Sequence, residues 1–143
     1  MNASFTVLLV DDDEDECLII ERVVQESWAN CQLICARSRE EMYTYLNGPG
    51  PRPVLILMDA NIPPYSGYEF IQELRAEKRF RSIQILVLTG SSMLDQVDDY
   101  YAVGANAYMV KPVSFQEYKY LLSQVRSFWL DVAVQPHRQN NNL

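Results

Sequence analysis

Residues 53–67 decide the fold, and they read PVLILMDANIPPYSG. The apolar residues 54–58 end abruptly in Asp59, and a proline-rich turn follows. A short, continuous apolar run bounded by turn residues is typical of a strand buried on both faces, as in a parallel sheet. Ligand sites in open α/β sheets lie at the carboxyl ends of such strands, so Asp59 is the first candidate functional residue.

Four further short apolar runs, at residues 7–10, 32–36, 83–88 and 107–110, alternate with segments of helical spacing. Capping-box patterns starting at Ser38, Ser66 and Ser114 predict the beginnings of three helices. A further helix, from about residue 94, should end at Gly104, and the last should run from 115 to about 132. The repeated strand–helix alternation predicts an α/β fold with a five-stranded, doubly wound parallel sheet.

Acidic residues follow two strands that this topology places side by side. Of the doubly wound sheets, the order 2-1-3-4-5 fits best, and its switch point lies between the first and third strands. The first strand ends in Asp11 and Asp12, and the third ends in Asp59. Thr89 and Lys111 lie at the same ends of the fourth and fifth strands. We therefore expect these five side chains to meet in one crevice.

Carboxylates crowded into one crevice repel each other, by about 4 kcal/mol for two unit charges ~4 Å apart at an effective dielectric of 20. Lys111 supplies one compensating charge. A divalent cation supplies more, and carboxylate oxygens together with a phosphate oxygen are the usual surroundings of Mg²⁺. Phosphoryl transfer needs mainly such positioning and charge stabilisation, and a carboxylate can accept the phosphoryl group covalently. The pattern predicts Mg²⁺-dependent phosphorylation of Asp59.

Composition excludes several other classes of protein. With 143 residues, a net charge of −7 and no cluster of Lys or Arg, the chain is expected to be one domain without direct binding to nucleic acid or membranes. No apolar run approaches the ~20 residues that cross a bilayer. Three cysteines without metal-ligand spacing fit a cytoplasmic protein. We expect the domain to span residues 1–134 and the polar tail, 135–143, to be disordered.

These motifs together resemble the receiver domain of two-component response regulators, and the resemblance covers nearly the whole chain. The matching residues are Asp11-Asp12, Asp59, Asn61-Ile62-Pro63 with Gly67, Thr89, Gly104-Ala105 before Tyr108, and Lys111-Pro112. The resemblance implies the CheY-like, flavodoxin-like (βα)5 fold and a single-domain response regulator without an output domain. Such a protein is not an enzyme, beyond catalysing its own phosphorylation and dephosphorylation.

The resemblance also implies a role for each matching residue near the acids. Asp59 would be the phosphoacceptor. Asp12 would bind Mg²⁺ directly and Asp11 through water, while the backbone carbonyl of Asn61 would complete the protein ligands, beside Asp59 itself.

Other matching residues would sense the phosphoryl group. Lys111 would pair with its oxygens and Thr89 would donate a hydroxyl to one of them. Tyr108 matches the aromatic switch that turns inward when Thr89 moves. Pro112 would be a cis proline.

Two short stretches give a narrower resemblance. Residues 51–53 (PRP) and 127–131 (SFWLD) are similar to the small single-domain regulators that partner bacterial phytochromes. This implies a sensor histidine kinase of phytochrome type as partner. It also implies a homodimer formed through the fourth helix, the fifth strand, the fifth helix and the C-terminal helix end.

The residues argue against two other classes and leave one alternative open. A phosphatase of the haloacid dehalogenase type needs a second acid two residues after its nucleophile, where this chain has Asn61. No Gly-x-Gly-x-x-Gly or Walker pattern supports a nucleotide-binding domain. A receiver-fold interaction module that binds partners regardless of phosphate remains the alternative function.

Overall fold

The computed structural model describes residues 4–134, except for the side chains of residues 91–93. In chain order the strands are β1 (Phe5–Val10), β2 (Cys31–Ala36), β3 (Leu55–Asp59), β4 (Asn61–Ile62), β5 (Tyr65–Ser66), β6 (Gln84–Thr89) and β7 (Ala107–Val110). The main sheet is parallel with the order β2-β1-β3-β6-β7. This confirms the predicted order 2-1-3-4-5, because β4 and β5 form a separate antiparallel hairpin that the sequence did not reveal.

Residues 4–134 contain five α-helices, of which four connect strands and the last follows β7. They are α1 (Glu14–Ser27), α2 (Arg39–Asn47), α3 (Gly67–Ala76), α4 (Val97–Val103) and α5 (Phe115–Val125). Ser38, Ser66 and Ser114 cap α2, α3 and α5, and each side chain accepts the N–H three residues ahead, as the capping-box patterns predicted. Gly104 ends α4 with a φ of 123°, a left-handed conformation that favours glycine.

Two predicted helices differ from the structure. The fourth helix starts later than expected, because residues Ser91–Gln96 form a 3₁₀ turn and no side chain caps the helix that follows. The last helix changes character at Arg126, and residues Arg126–Val132 form a wider π-helical turn. There the N–H of Ala133 donates to the carbonyl of Phe128, five residues earlier.

Both faces of the sheet are buried, as the continuous apolar strands predicted. Alternate residues of β1, β3 and β6 face α1 and α5 on one side. The residues between them face α2, α3 and α4 on the other side. Within residues 4–134, no helix combines the length and apolar character that a bilayer crossing requires. All three cysteines, Cys17, Cys31 and Cys35, are free thiols.

The proline prediction was wrong in one respect. The bond between Lys111 and Pro112 is not cis, whereas the bond between Pro63 and Pro64, in the turn of the β4–β5 hairpin, is. The two isomers of such a bond differ by only about 0.5–1 kcal/mol, so the surroundings rather than the proline decide between them. The predicted disorder of residues 135–143 concerns a segment outside the described residues.

Arg75, near the end of α3, forms hydrogen bonds with residues at the amino ends of both β6 and β7. Its guanidinium donates to the carbonyls of Ile83 at 2.8 Å and Gly104 at 3.0 Å, and to Asn106 Oδ1 at 2.9 Å. The same Asn106 oxygen accepts the N–H of Ile85 at 2.8 Å. Burial lowers the pKa of Arg75. This contact holds the sheet edge opposite the acidic residues.

We expect Arg75→Ala to lower the free energy of unfolding by about 2–4 kcal/mol, because these acceptors, and the carbonyls of Phe80 and Arg81 at 3.3 Å, lose a charged donor. Urea denaturation measures this change. Lys78→Ala is the control: Lys78 is an exposed cation three residues away, and its loss should change stability by no more than about 0.5 kcal/mol. Equal stabilities for the two variants would contradict this role of Arg75.

Candidate functional site

The carboxyl ends of β1 and β3 lie next to each other, because Val10 pairs with Met58. Asp11 follows β1 and is 1% exposed; Asp59 ends β3 and is 7% exposed. Asp12 is exposed at the rim. Each of these three acids has a carboxylate oxygen within 4.8 Å of the others. The acids that the sequence selected therefore do meet in one crevice.

Backbone turns orient the two buried acids. The Oδ1 atom of Asp11 accepts the N–H of Asp13 at 2.9 Å, and the Oδ1 atom of Asp59 accepts the N–H of Asn61 at 3.2 Å. Aspartate commonly accepts the N–H two residues ahead in this way. The thiol of Cys17 contacts the carbonyl of Asp11 at 3.7 Å. Each acid is thus anchored through one oxygen by the turn that follows its strand.

Lys111 reaches this crevice from the end of β7. Its Nζ atom lies 3.3 Å from Asp59 Oδ2, 3.5 Å from Asp11 Oδ2 and 3.4 Å from Glu16 Oε1. Sequence reasoning missed Glu16. A signal existed, because Ile20 lies four residues later on α1 and faces the core, which places Glu16 on the inward side of the helix.

The charges of the crevice shift the pKa of its members. Burial raises the pKa of Asp11 to about 7, and repulsion from Asp59 adds to the rise. The hydrogen bond from the N–H of Asp13 lowers this pKa, but by less than burial raises it. Burial also raises the pKa of Asp59, although Lys111 opposes it. The pKa of Lys111 is raised overall, because attraction to the carboxylates of Asp11, Asp59 and Glu16 exceeds the lowering effect of burial. The buried acids are thus held in surroundings that favour an added positive charge.

The donor set of the crevice fits a hard divalent cation. Asp11, Asp12 and Asp59 offer carboxylate oxygens, which such ions prefer, and these lie close enough together to share one ion. The carboxylates of Asp11, Asp59 and Glu16 contact the one ammonium of Lys111, and Asp12 adds a further negative charge beside Asp11 and Asp59. An ion with two charges would reduce that imbalance.

Thr89 and Tyr108 lie on the strands beside this crevice. Thr89 ends β6, directly after the residue that pairs with Asp59, and is fully buried. Its hydroxyl donates to the carbonyl of Gly90 at 3.2 Å. Tyr108 lies on β7, opposite Val87 of β6, and its half-buried ring packs against the core.

Tyr100 links α4 to the loop that follows Asp59. Its hydroxyl donates to the carbonyl of Ala60 at 3.1 Å and accepts the N–H of Tyr68 at 3.1 Å. Its ring, 1% exposed, lies 5.2 Å from the ring of Tyr108. The carbonyl of Ala60 also accepts the N–H of Gly67 at 2.9 Å. The loop after Asp59 is therefore held from both α3 and α4.

The surface formed by α4, β7 and α5 exposes several large apolar side chains. They are Tyr101, Val110, Val113 and Tyr120. On the turn after α5, Phe128 is exposed and its ring stacks edge-on against Trp129, with centroids 5.2 Å apart. Exposed apolar side chains grouped on neighbouring elements are typical of protein contacts. The predicted dimer surface stays a prediction.

Comparison with known proteins agrees with this geometry. The family model for the response regulator receiver domain matches residues 7–123. Response regulator Rcp1 of Synechocystis sp. is 29% identical over 140 residues, covering 94% of this chain and 95% of Rcp1.

Two solved structures have the same fold over almost the whole chain. The phosphorylated cyanobacterial phytochrome response regulator RcpA superposes with a TM-score of 0.86 at 26% identity, covering 94% of this chain and 100% of RcpA. The Mn²⁺-bound form of Rcp1 superposes with a TM-score of 0.81 at 28% identity, covering 93% of this chain and 99% of Rcp1.

The backbone of Gly67 packs closely against the loop that follows Asp59. A Cβ atom at Gly67 would lie 2.8 Å from the carbonyl oxygen of Asp59 and 3.2 Å from Ala60 Cα. Alanine normally stabilises a helix relative to glycine, but here we expect Gly67→Ala to lower the free energy of unfolding by about 1–3 kcal/mol. Thermal or urea unfolding measures the change.

The control is Gly90→Ala, because a Cβ atom at Gly90 would meet no atom within 4 Å. Its φ of −69° suits alanine, so stability should stay the same or rise by up to about 1 kcal/mol. A stable Gly67→Ala variant would show that the loop can yield to the added methyl group.

Proposed function

Because the chain belongs to the response regulator receiver domain family, we propose that it is a phosphorylation switch in which Asp59 accepts a phosphoryl group from a sensor histidine kinase, with Mg²⁺ bound. The observation that carries this proposal is the contact of Asp59 Oδ2 with Lys111 Nζ at 3.3 Å, beside Asp11 and Asp12. A lone ammonium next to crowded carboxylates provides the charge that an incoming phosphoryl group needs.

In the proposed transfer, an oxygen of Asp59 attacks the phosphorus of a phosphohistidine on the kinase. The new O–P bond forms as the P–N bond breaks, and the departing imidazole nitrogen keeps the electron pair and takes a proton. Lys111, whose Nζ atom lies 3.3 Å from Asp59 Oδ2, would balance charge on the phosphoryl oxygens. Asp59 is anchored meanwhile by the N–H of Asn61.

Asp11, Asp12, Asp59 and the backbone carbonyl of Asn61 are the residues that we propose hold Mg²⁺. The three carboxylates meet the oxygen preference of this ion. When bound, Mg²⁺ would neutralise charge on the phosphoryl oxygens. Asp11 and Asp12 follow β1, which pairs with β3, so the proposed metal ligands need no rearrangement of the sheet to act beside Asp59.

The signal would leave the site through Thr89 and Tyr108. Thr89 would exchange its hydrogen bond to Gly90 for one to a phosphoryl oxygen, and the half-buried Tyr108 would turn inward. To move a population from 1:99 to 99:1, phosphorylation must favour one state by about 5.5 kcal/mol. Hydrogen bonds to charged groups contribute about 1.5–3 kcal/mol each, so bonds from Lys111 and Thr89 would together contribute about 3–6 kcal/mol, which reaches the required value at its upper end.

The output would be contact with other proteins. RcpA is described as a phytochrome response regulator, and we propose a phytochrome-type kinase as the partner of this chain. We further propose a homodimer through α4, β7, α5 and residues Arg126–Val132, supported by the apolar side chains exposed there. We propose a cytoplasmic location for this chain, which its three free thiols fit.

Incubation with acetyl phosphate and Mg²⁺ should add one phosphoryl mass to the protein, measured by intact-mass spectrometry. Asp59→Asn should gain none, because its amide oxygen is a poor nucleophile. Asp98→Asn, which removes an exposed acid of α4, should gain as much as the unmodified chain. If the unmodified chain gains no mass, the chain instead acts as an interaction module independent of phosphate.

Lys111→Ala separates phosphorylation from its output. The variant should still be phosphorylated on Asp59, but it should not change oligomeric state, because the ammonium that reads the phosphoryl group is gone. Light scattering after size exclusion measures the mass of the assembly. Lys78→Ala is the control and should respond normally, because Lys78 is an exposed lysine after α3, outside the proposed dimer surface. A Lys111→Ala variant that dimerises on phosphorylation would contradict this role of Lys111.

A further inference from the structure

Glu16 is the third carboxylate at the Lys111 ammonium, beside Asp11 and Asp59, and it lies outside the three acids that fit a metal ion. Its Oε1 atom lies 3.4 Å from Lys111 Nζ, and its side chain is 14% exposed. Its partner on the other side is Tyr118 of α5, whose hydroxyl donates to Glu16 Oε1 at 2.7 Å. Helices α1 and α5 cover the same sheet face, so this pair closes one side of the crevice.

The hydrogen bond from Tyr118 restricts the position of the Glu16 carboxylate. The ring of Tyr118 is buried among the apolar residues between α1, α5 and the sheet, so only the hydroxyl reaches the carboxylate. Burial, and then Glu16, raise the pKa of Tyr118, so the phenol stays protonated and remains a donor. A buried, immobile donor fixes the carboxylate that it contacts, which would otherwise turn towards solvent.

We propose that Glu16, clamped by Tyr118, is a positioning residue that holds Lys111 back from the phosphoryl group and so favours the unphosphorylated state. This inference rests on the proposed function, in which Lys111 pairs with phosphoryl oxygens. Lys111 cannot give its full charge to a new anion while it also contacts Glu16. The strength of the Glu16 contact would therefore set how readily the site retains a phosphoryl group.

Calorimetric titration with beryllofluoride, a phosphoryl mimic, at saturating Mg²⁺ tests this inference. Glu16→Gln should bind beryllofluoride roughly three- to tenfold more tightly, the size expected from losing one competing ion pair. Glu16→Asp keeps the charge but is one methylene shorter, and it should also bind more tightly. Asp15→Asn is the control, because it removes one exposed charge from the neighbouring position without touching Lys111.

Tyr118→Phe distinguishes positioning from packing. It should tighten beryllofluoride binding in the same direction as Glu16→Gln but by less, because the released carboxylate still carries its charge. In the double variant, Tyr118→Phe should add nothing to Glu16→Gln, since Tyr118 acts through Glu16. A purely structural effect of the hydroxyl would persist in the double variant and would overturn the role given to Tyr118.

The outcomes also separate this inference from the proposed function. If the unmodified chain binds no beryllofluoride with Mg²⁺, the proposed function fails and the inference fails with it. If the unmodified chain binds but Glu16→Gln binds equally or more weakly, only the inference fails. An increase for Asp15→Asn as large as that for Glu16→Gln would likewise overturn it, because the effect would then be general charge rather than the contact with Lys111.

Discussion

The attraction between one ammonium and the carboxylates around it is the interaction on which this structure depends. Lys111 follows β7, yet it contacts Asp59 at the end of β3, with β6 between them. Neighbouring strands lie about 4.8 Å apart, so the ammonium must reach across roughly two strand spacings. A long, flexible lysine stem can span this distance, past the carboxyl end of β6 at Thr89. The sheet order and the length of one side chain together create the crevice.

Much of this crevice is visible in the sequence because strand ends are easy to recognise. Apolar runs that stop at Asp11 and Asp59 mark where the chain leaves the core, and alternation with helices gives the sheet order. Side chains at the ends of adjacent parallel strands then have to be neighbours. Glu16 and Tyr118 were harder to see, because their contact depends on how α1 and α5 pack against each other. Spacing shows which side of a helix faces inward, but not which polar atoms meet there.

The differences in the fold have a similar origin. The β4–β5 hairpin has two residues in each strand, too few for any pattern of alternation. The 3₁₀ turn before α4 and the π-helical turn after α5 preserve the apolar spacing of a helix while changing its hydrogen bonds. The cis and trans isomers of a prolyl bond differ by only about 0.5–1 kcal/mol, so a sequence pattern does not show which isomer the surroundings select. Hydrophobic periodicity therefore identifies the elements, while tertiary contacts decide their ends.

Tyr100 has a consequence for how such a domain can diversify. Its hydroxyl is the point at which α4, part of the proposed dimer surface, is bonded to the backbone beside Asp59, the proposed phosphoacceptor. A chimera that received its fourth helix from another regulator, with a smaller residue at that place, would leave the buried Ala60 carbonyl with Gly67 as its remaining donor. The proposed partner surface and the proposed phosphorylation site are thus physically joined in this chain, and an engineer who exchanges one has to refit the other.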